Sequence, residues 1–365
     1  MDAAEASLKY SPLTGATRWG VLITIYSDDH RLQAGRAELI DGALAPCHEC
    51  PARADAVLAR VRETGLGEIV APSDHGSAPL SRVHAEPFLT FLRTADEQWR
   101  AEHGDTDALP LSWPVRGMTN REPETIDGRL GYFSFDAGTP ITAGTWRAAR
   151  AAANVALSGA ESIANGAASA FALCRPPGHH ASRDFYGGYC FLNNAAVATQ
   201  ALRDDGAERI AILDVDYHHG NETQSIFEAR PDVLFVSLQG DPAQEYSYFS
   251  GYGDETGVGL GEGFNLNLPM CWGTEWATYA AALEAGLRRI AEFAPTALVI
   301  SLGVDTYAGD PISRFRLGSD DYFRLGERIT GASTPTLFVL EGGYALPALG
   351  ANVVNVLAGF ELVRD

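Results

Sequence analysis

The sequence predicts an α/β protein in which a mostly parallel sheet is covered on both faces by helices. Three observations carry this. Several runs of six or seven residues are largely apolar at successive positions instead of alternating, as in strands buried on both sides. Helical patterns lie between them, so strand and helix alternate along the chain. No repeat or low-complexity block interrupts the alternation.

Residues 1–19 read as a polar tail and 20–365 as the folded body. "GVLITIY" (20–26) opens it as a strand, and "ARADAVLARVRETGLG" (52–67) follows as a helix closed by glycine. The stretch 105–144 is rich in proline, glycine and aromatics and lacks a clear period; insertions of that length are usually functional or interface-forming. A helix follows at 145–164, with Thr145 as its expected cap. The continuous apolar strands are "SAFALC" (169–174), "RIAILDV" (209–215), "VLFVSL" (233–238), "TALVISL" (296–302) and "TPTLFVL" (334–340). Before the fourth of these lies a helix at 275–293, where Trp276, Tyr279, Leu283, Leu287, Ile290 and Phe293 recur every three or four residues.

The chain has 365 residues, which suits one large α/β domain or two smaller ones. Apolar residues make up 46%, enough for a sizeable core, and the formal net charge is −20. That charge disfavours nucleic acid and anionic membranes, which select basic surfaces, and suits a small cationic molecule or peptide. No stretch approaches the roughly 18 apolar residues of a membrane span. Five scattered cysteines fit a reducing cytoplasm better than a disulfide framework. "CHEC" (47–50) has zinc-knuckle spacing at one end only, so it reads as a loop with two thiols.

Chemistry gathers where strands end, the place where open α/β sheets build sites. "FALC" runs into Arg175, two prolines, Gly178, His179 and His180. "AILDV" runs into Asp216, His218 and His219, "LVISL" into Gly303 and Asp305, and "LFVL" into Glu341, Gly342, Gly343 and Tyr344. Asp214, Asp216 and His218 alternate, so an extended backbone puts them on one side. Like charges so placed repel unless a cation sits among them. Asp216, His218 and Asp305 would supply three ligands, the count for a catalytic metal with an open position. Zinc and ferrous iron both accept two carboxylates and an imidazole. Taken alone, "DVDYHH" also reads as a solvated loop capping a helix near Gly220. His179 and His180, on a rigid Pro-Pro-Gly approach, suit proton transfer; Tyr344 after two glycines can swing inward or be a plain turn residue.

Together "RPPGHHA", "GYCFLNNAA", "DVDYHHGN", "SLGVD" and "EGGY" resemble the zinc-dependent deacetylases of the histone deacetylase superfamily, in order and across about residues 20–360. "ITIYSDDHRL", "GYFSFDAGTPITAGTW", "SLQGDP", "YFSGYGDETG" and "DPISRFRL" resemble its acetylpolyamine amidohydrolase branch. The resemblance implies the arginase/deacetylase fold, a single domain around a central eight-stranded parallel sheet. It implies Zn2+ on Asp216, His218 and Asp305, with Fe2+ as the other candidate. His180 would be general base and then acid, and His179 its electrostatic neighbour held by Asp214. Asn221 would stand behind His180, and Tyr344 would donate to the substrate carbonyl. Tyr189, Tyr246 and Gly188 would line a narrow channel. A K+ or Na+ ion would sit near Asp214, Asp216, His218, Ser237 and Leu238, and a second near Phe227 and Val233. The implied substrate is a small cationic acetylated amine, and the implied assembly a homodimer whose insertions shape each other's entrance.

Polyamine-selective relatives often carry a glutamate at the entrance; the matching stretch has Gly138, with Asp136 nearby and Asp127 earlier. Acetyllysine in proteins and other short acylamides are therefore the rival substrates. A dimetal ureohydrolase on the same fold wants a carboxylate two residues before Asp305, where Gly303 stands. A non-catalytic relative would be expected to lack a ligand, His180 or Tyr344, and all are present.

Overall fold

The structure, a computed structural model, describes residues 22–332 and 334–362; the polar tail at 1–19 lies outside the described residues. In chain order the strands are β1 (Ile23–Ile25), a separate hairpin of β2 (Glu38–Ile40) and β3 (Ala43–Ala45), β4 (Glu68–Val70), β5 (Ser169–Ala172), β6 (Ile210–Asp214), β7 (Val233–Gly240), β8 (Asn265–Met270), β9 (Ala297–Leu302) and β10 (Thr336–Leu340). Eight of them form one parallel sheet in the order β4-β1-β5-β10-β9-β6-β7-β8. The eight-stranded parallel sheet is the architecture the family resemblance implied.

The helices are α1 (Ala52–Thr64), α2 (Ala78–Ser81), α3 (Glu86–His103), α4 (Ile126–Tyr132), α5 (Thr145–Ala164), α6 (Asn194–Asp204), α7 (Asn221–Phe227), α8 (Trp276–Phe293), α9 (Ser319–Thr330) and α10 (Leu346–Leu362). They divide between the two faces of the sheet. Ile210, Ile212, Val299, Leu337 and Val339 pack with α3, α5 and α6. Ala211, Leu213, Leu298, Ile300 and Phe338, the alternate residues of the same strands, pack with α1, α8, α9 and α10. Both parities are buried, which is why these strands read as unbroken apolar runs.

Three readings need correction. Thr145 is the first residue of α5 and not its cap; Gly144 takes that place, and the Thr145 hydroxyl accepts from Thr142 N (2.7 Å) and donates to Gln33 Oε1 (2.6 Å). The stretch 105–144 is not wholly irregular, since it contains α4 and is pinned near its two ends by a bridge between Ala108 and Ile141. The edge strands β4 and β8 escape the apolar-run reading. β4 is three residues long and partly exposed, and β8 (NLNLPM) alternates asparagine with leucine over its first four residues, so neither forms an apolar run.

Candidate active site

The sheet order places β5, β10, β9 and β6 side by side, so the four polar strand ends converge. Asp216, His218 and Asp305 bring one ligand atom each within 4.8 Å of one another, all buried. His218 Nδ1 lies 3.3 Å from Asp216 Oδ1 and 3.0 Å from Asp305 Oδ2. Backbone amides steady both carboxylates: Gly342 N donates to Asp216 Oδ2 (2.8 Å) and Tyr217 N to Asp305 Oδ1 (2.8 Å). Among the described residues their ion-pair partners are histidines alone. Burial, then the charge on Asp216, pushes Asp305 up to about 7. Two such carboxylates with no arginine or lysine paired to them suit a divalent cation. A Cβ on Gly303 would lie 2.0 Å from Asp216 Oδ2, so the further carboxylate of a dimetal centre has no room there.

Asp214 does not join this set, although its alternation with Asp216 and His218 suggested a common side. As the last residue of β6 it turns to brace the site, accepting from Asp216 N on Oδ1 (3.1 Å) and meeting His179 Nδ1 with Oδ2 (3.0 Å). Burial opposes charge on His179, but Asp216 and Asp214 outweigh it and raise its pKa to about 10. Across the sheet, Asp214 pairs with Ser237 on β7 and Ser301 on β9, and both hydroxyls are buried without a partner. Phe227 and Val233 lie at the end of α7 and the start of β7.

His180 Nδ1 lies 2.5 Å from Asn221 Oδ1. Burial, then the neighbouring His179 and His218, hold its pKa well below its ordinary value. Gly188 presses on this ring: its φ is +54°, and a Cβ there would meet His180 Cδ2 at 2.3 Å, so glycine is required. Glu341 accepts from Gly178 N (2.6 Å) and His179 N (3.2 Å), tying the end of β10 to the histidine loop. It forms a second buried cluster with His179 and Cys190.

Tyr344 is held from two sides. Asp310 Oδ2 accepts from Tyr344 N (2.7 Å) and Ala345 N (3.2 Å). The Arg53 guanidinium lies 4.6 Å from the centre of the Tyr344 ring. Arg53 is buried and donates to Gly343 O (2.7 Å), Glu341 O (2.6 Å) and Glu49 Oε1 (3.1 Å). Glu49 also pairs with buried Arg175. None of Glu49, Arg53 or Asp310 emerged from the sequence. In "CHEC" the thiols drew attention, yet the glutamate between them is the residue in contact with the site. Arg53 offered one signal, a charge on the buried stripe of α1 beside Ala54, Val57, Leu58 and Val61.

The residues expected to line a channel lie against the same site. The Tyr246 ring lies 5.2 Å from His180, 6.0 Å from His218 and 5.8 Å from Phe135, which stacks on it. Tyr189 lies edge-on to Tyr344 at 5.6 Å. Asp136 braces this wall. It accepts from Tyr246 Oη (2.6 Å), Gly188 N (2.5 Å), Thr139 Oγ1 (3.0 Å) and Gly138 N (3.1 Å). Four donors occupy it, so it does not serve as a free reader of an amine. Asp127 points elsewhere and pairs with His103 (2.9 Å). Asp136→Ala is expected to lower kcat/KM about ten-fold, mostly through KM, because Tyr246 and the Gly188 loop lose a charged acceptor. Steady-state kinetics check this; an unchanged KM would separate Asp136 from the channel.

Among the described residues no helix is long and apolar enough to cross a membrane. A family model for the histone deacetylase domain matches residues 47–360. The chain is 59% identical over 343 residues to acetylpolyamine amidohydrolase 2 of Pseudomonas aeruginosa, covering 94% of this chain and all of that one. It is 50% identical over 335 residues to the acetylpolyamine amidohydrolase of Mycoplana ramosa, covering 92% and 98%. The crystal structure of an acetylpolyamine aminohydrolase from Burkholderia pseudomallei superposes with a TM-score of 0.89 at 39% identity, covering 94% of this chain and 99% of that one.

Proposed function

The chain belongs to the histone deacetylase family and is a hydrolase of amide bonds, and from that premise we propose that it removes acetyl groups from small cationic amines such as acetylated polyamines. One observation carries the reading: a buried triad of Asp216, His218 and Asp305 lies next to the buried His180, with the aromatic wall of Tyr246 and Phe135 beside it. The net charge of −20 favours a cationic substrate.

The donor set fits a divalent ion, and we assign Zn2+ to it, with Fe2+ as the rival. Asp216, His218 and Asp305 would hold the ion. When bound, it supplies Lewis acidity and lowers the pKa of water from 15.7 towards roughly 7. The unpartnered hydroxyl of Ser237 beside Asp214 fits a K+ or Na+ ion near Asp216, His218 and Leu238; a second such ion is assigned near Phe227 and Val233.

The protein's own groups do the rest. Tyr189, Tyr246 and Phe135 hold the linear chain and exclude solvent from its sides. His180 takes a proton from the attacking water, with its other ring nitrogen held by Asn221. Tyr344 donates its hydroxyl hydrogen to the carbonyl oxygen as negative charge grows there. His179, fixed by Asp214, adds positive charge nearby. His180 then returns the proton to the departing nitrogen, releasing acetate and the free amine. The insertion exposes Leu111, Val115 and Met118, and we assign it to a homodimer contact. Five free cysteines suit a cytoplasmic enzyme.

The test compares acetylputrescine, acetylspermidine and an acetyllysine peptide on the zinc-loaded protein. The small amines are expected to show the higher kcat/KM, and chelation to abolish all turnover until metal is restored. A preference for the peptide would transfer the enzyme to protein substrates, and turnover that survives chelation would end the metal reading.

A further inference from the structure

Behind the base proposed above stands a carboxylate that the reaction does not yet use. Asn221 and Glu222 open α7, and both are buried, each 7% exposed. Asn221 meets His180 Nδ1 with Oδ1 (2.5 Å) and donates from Nδ2 to Glu222 Oε1 (2.8 Å). Ser182, Ser225 and Asp184 also face Glu222, and among the described residues no arginine, lysine or histidine pairs with it. Burial pushes its pKa up to about 7. A buried carboxyl without a cation is costly, so it is informative that one occupies this position.

The orientation of Asn221 decides what His180 can do. A side-chain amide presents an oxygen that accepts and a nitrogen that donates, and a neutral imidazole carries one proton on either ring nitrogen. With Oδ1 facing it, His180 Nδ1 must be the protonated nitrogen, and Nε2 keeps its lone pair. With the amide reversed, Nδ2 would donate to Nδ1. The ring proton would then sit on Nε2, and the nitrogen left for chemistry could not accept. Both arrangements make one good hydrogen bond to His180, so that contact alone does not choose. Glu222 breaks the tie. Ionised, above its pKa of about 7, its carboxylate only accepts, which satisfies Nδ2 and repels Oδ1; the protonated form can also donate, so the tautomer is read at a pH at least one unit higher.

We propose that Glu222 is a positioning residue that locks the Asn221 amide and, through it, the proton-accepting tautomer of His180. This rests on the base role of His180, and the experiment keeps the two apart. Glu222→Leu and Glu222→Gln are prepared as full-length, zinc-loaded protein. The imidazole nitrogens are observed by 15N NMR, with His180 assigned by its absence in His180→Ala. The native protein is expected to show His180 protonated on Nδ1. Glu222→Leu, which leaves Nδ2 without a partner, is expected to show the other tautomer or a mixture. Its kcat is expected to fall about ten-fold with KM and metal content held. Glu222→Gln can present oxygen or nitrogen and is expected to fall between; if the leucine variant does not fold, the glutamine variant decides alone. A native tautomer and native kcat in the folded variants would overturn the proposal, as would a loss of kcat with the tautomer unchanged. Full activity in His180→Ala would instead remove the base role itself, whatever Glu222 does.

Discussion

His180→Ala is expected to lower kcat by about a hundred- to ten-thousand-fold, the range for losing a positioned general base, the role proposed for it. His180 lies outside the carboxylate–imidazole triad, so metal content should equal that of the parent protein. In the proposed reaction its removal takes away both the acceptor of the water proton and the donor to the leaving nitrogen. The neighbouring His179 cannot stand in easily. Its Nδ1 is committed to Asp214. The measurement is kcat at neutral pH together with metal analysis of the same sample. A loss of only a few fold would transfer the base role to His179, and a loss accompanied by metal depletion would show that the ring supports the centre instead.

Tyr344→Phe is expected to lower kcat by about a hundred- to a thousand-fold, the cost of one donor to a developing oxyanion, the role proposed for Tyr344. The substitution should remove the hydroxyl and little else. Asp310 holds the backbone of residues 344 and 345, and Arg53 covers the ring face, so a phenyl group keeps its place. Burial raises the phenol pKa well above its ordinary value, outweighing the opposing Arg53 charge, so the group is a proton-bearing donor at neutral pH. Metal content and melting temperature should match the parent, and KM should change less than kcat because the bond strengthens with charge on the oxygen. Unchanged turnover in this variant would eliminate the assigned role.

The sequence disclosed the parts of the molecule whose physics is local. The central strands were visible because both of their faces are covered, which removes polar residues from the run. β4 and β8 were not, because edge strands are short or half exposed. The candidate ligands and bases were visible because each follows a strand within a few residues. The braces were hidden for the opposite reason. Arg53 reaches the Gly343 carbonyl across 290 positions of chain, and Asp136 reaches Tyr246 across 110, separations at which no spacing rule operates. Asp214 shows the limit of alternation as a guide: the backbone leaves the strand after it, and the side chain turns to His179.

β5, β10, β9 and β6 each have a hydrogen-bonded strand on either side, whereas Tyr246 lies on the connection between β7 and the edge strand β8. This divides the molecule into regions of unequal cooperativity. Opening any one of the four central strands breaks two ladders at once and amounts to unfolding the sheet, so the groups at their ends persist or vanish as a unit. The connection carrying Tyr246 belongs to no ladder and is held by side chains instead, through the Asp136 hydrogen bond and the Phe135 stack. Opening it breaks those contacts and leaves the sheet intact, so it costs less than opening the strands.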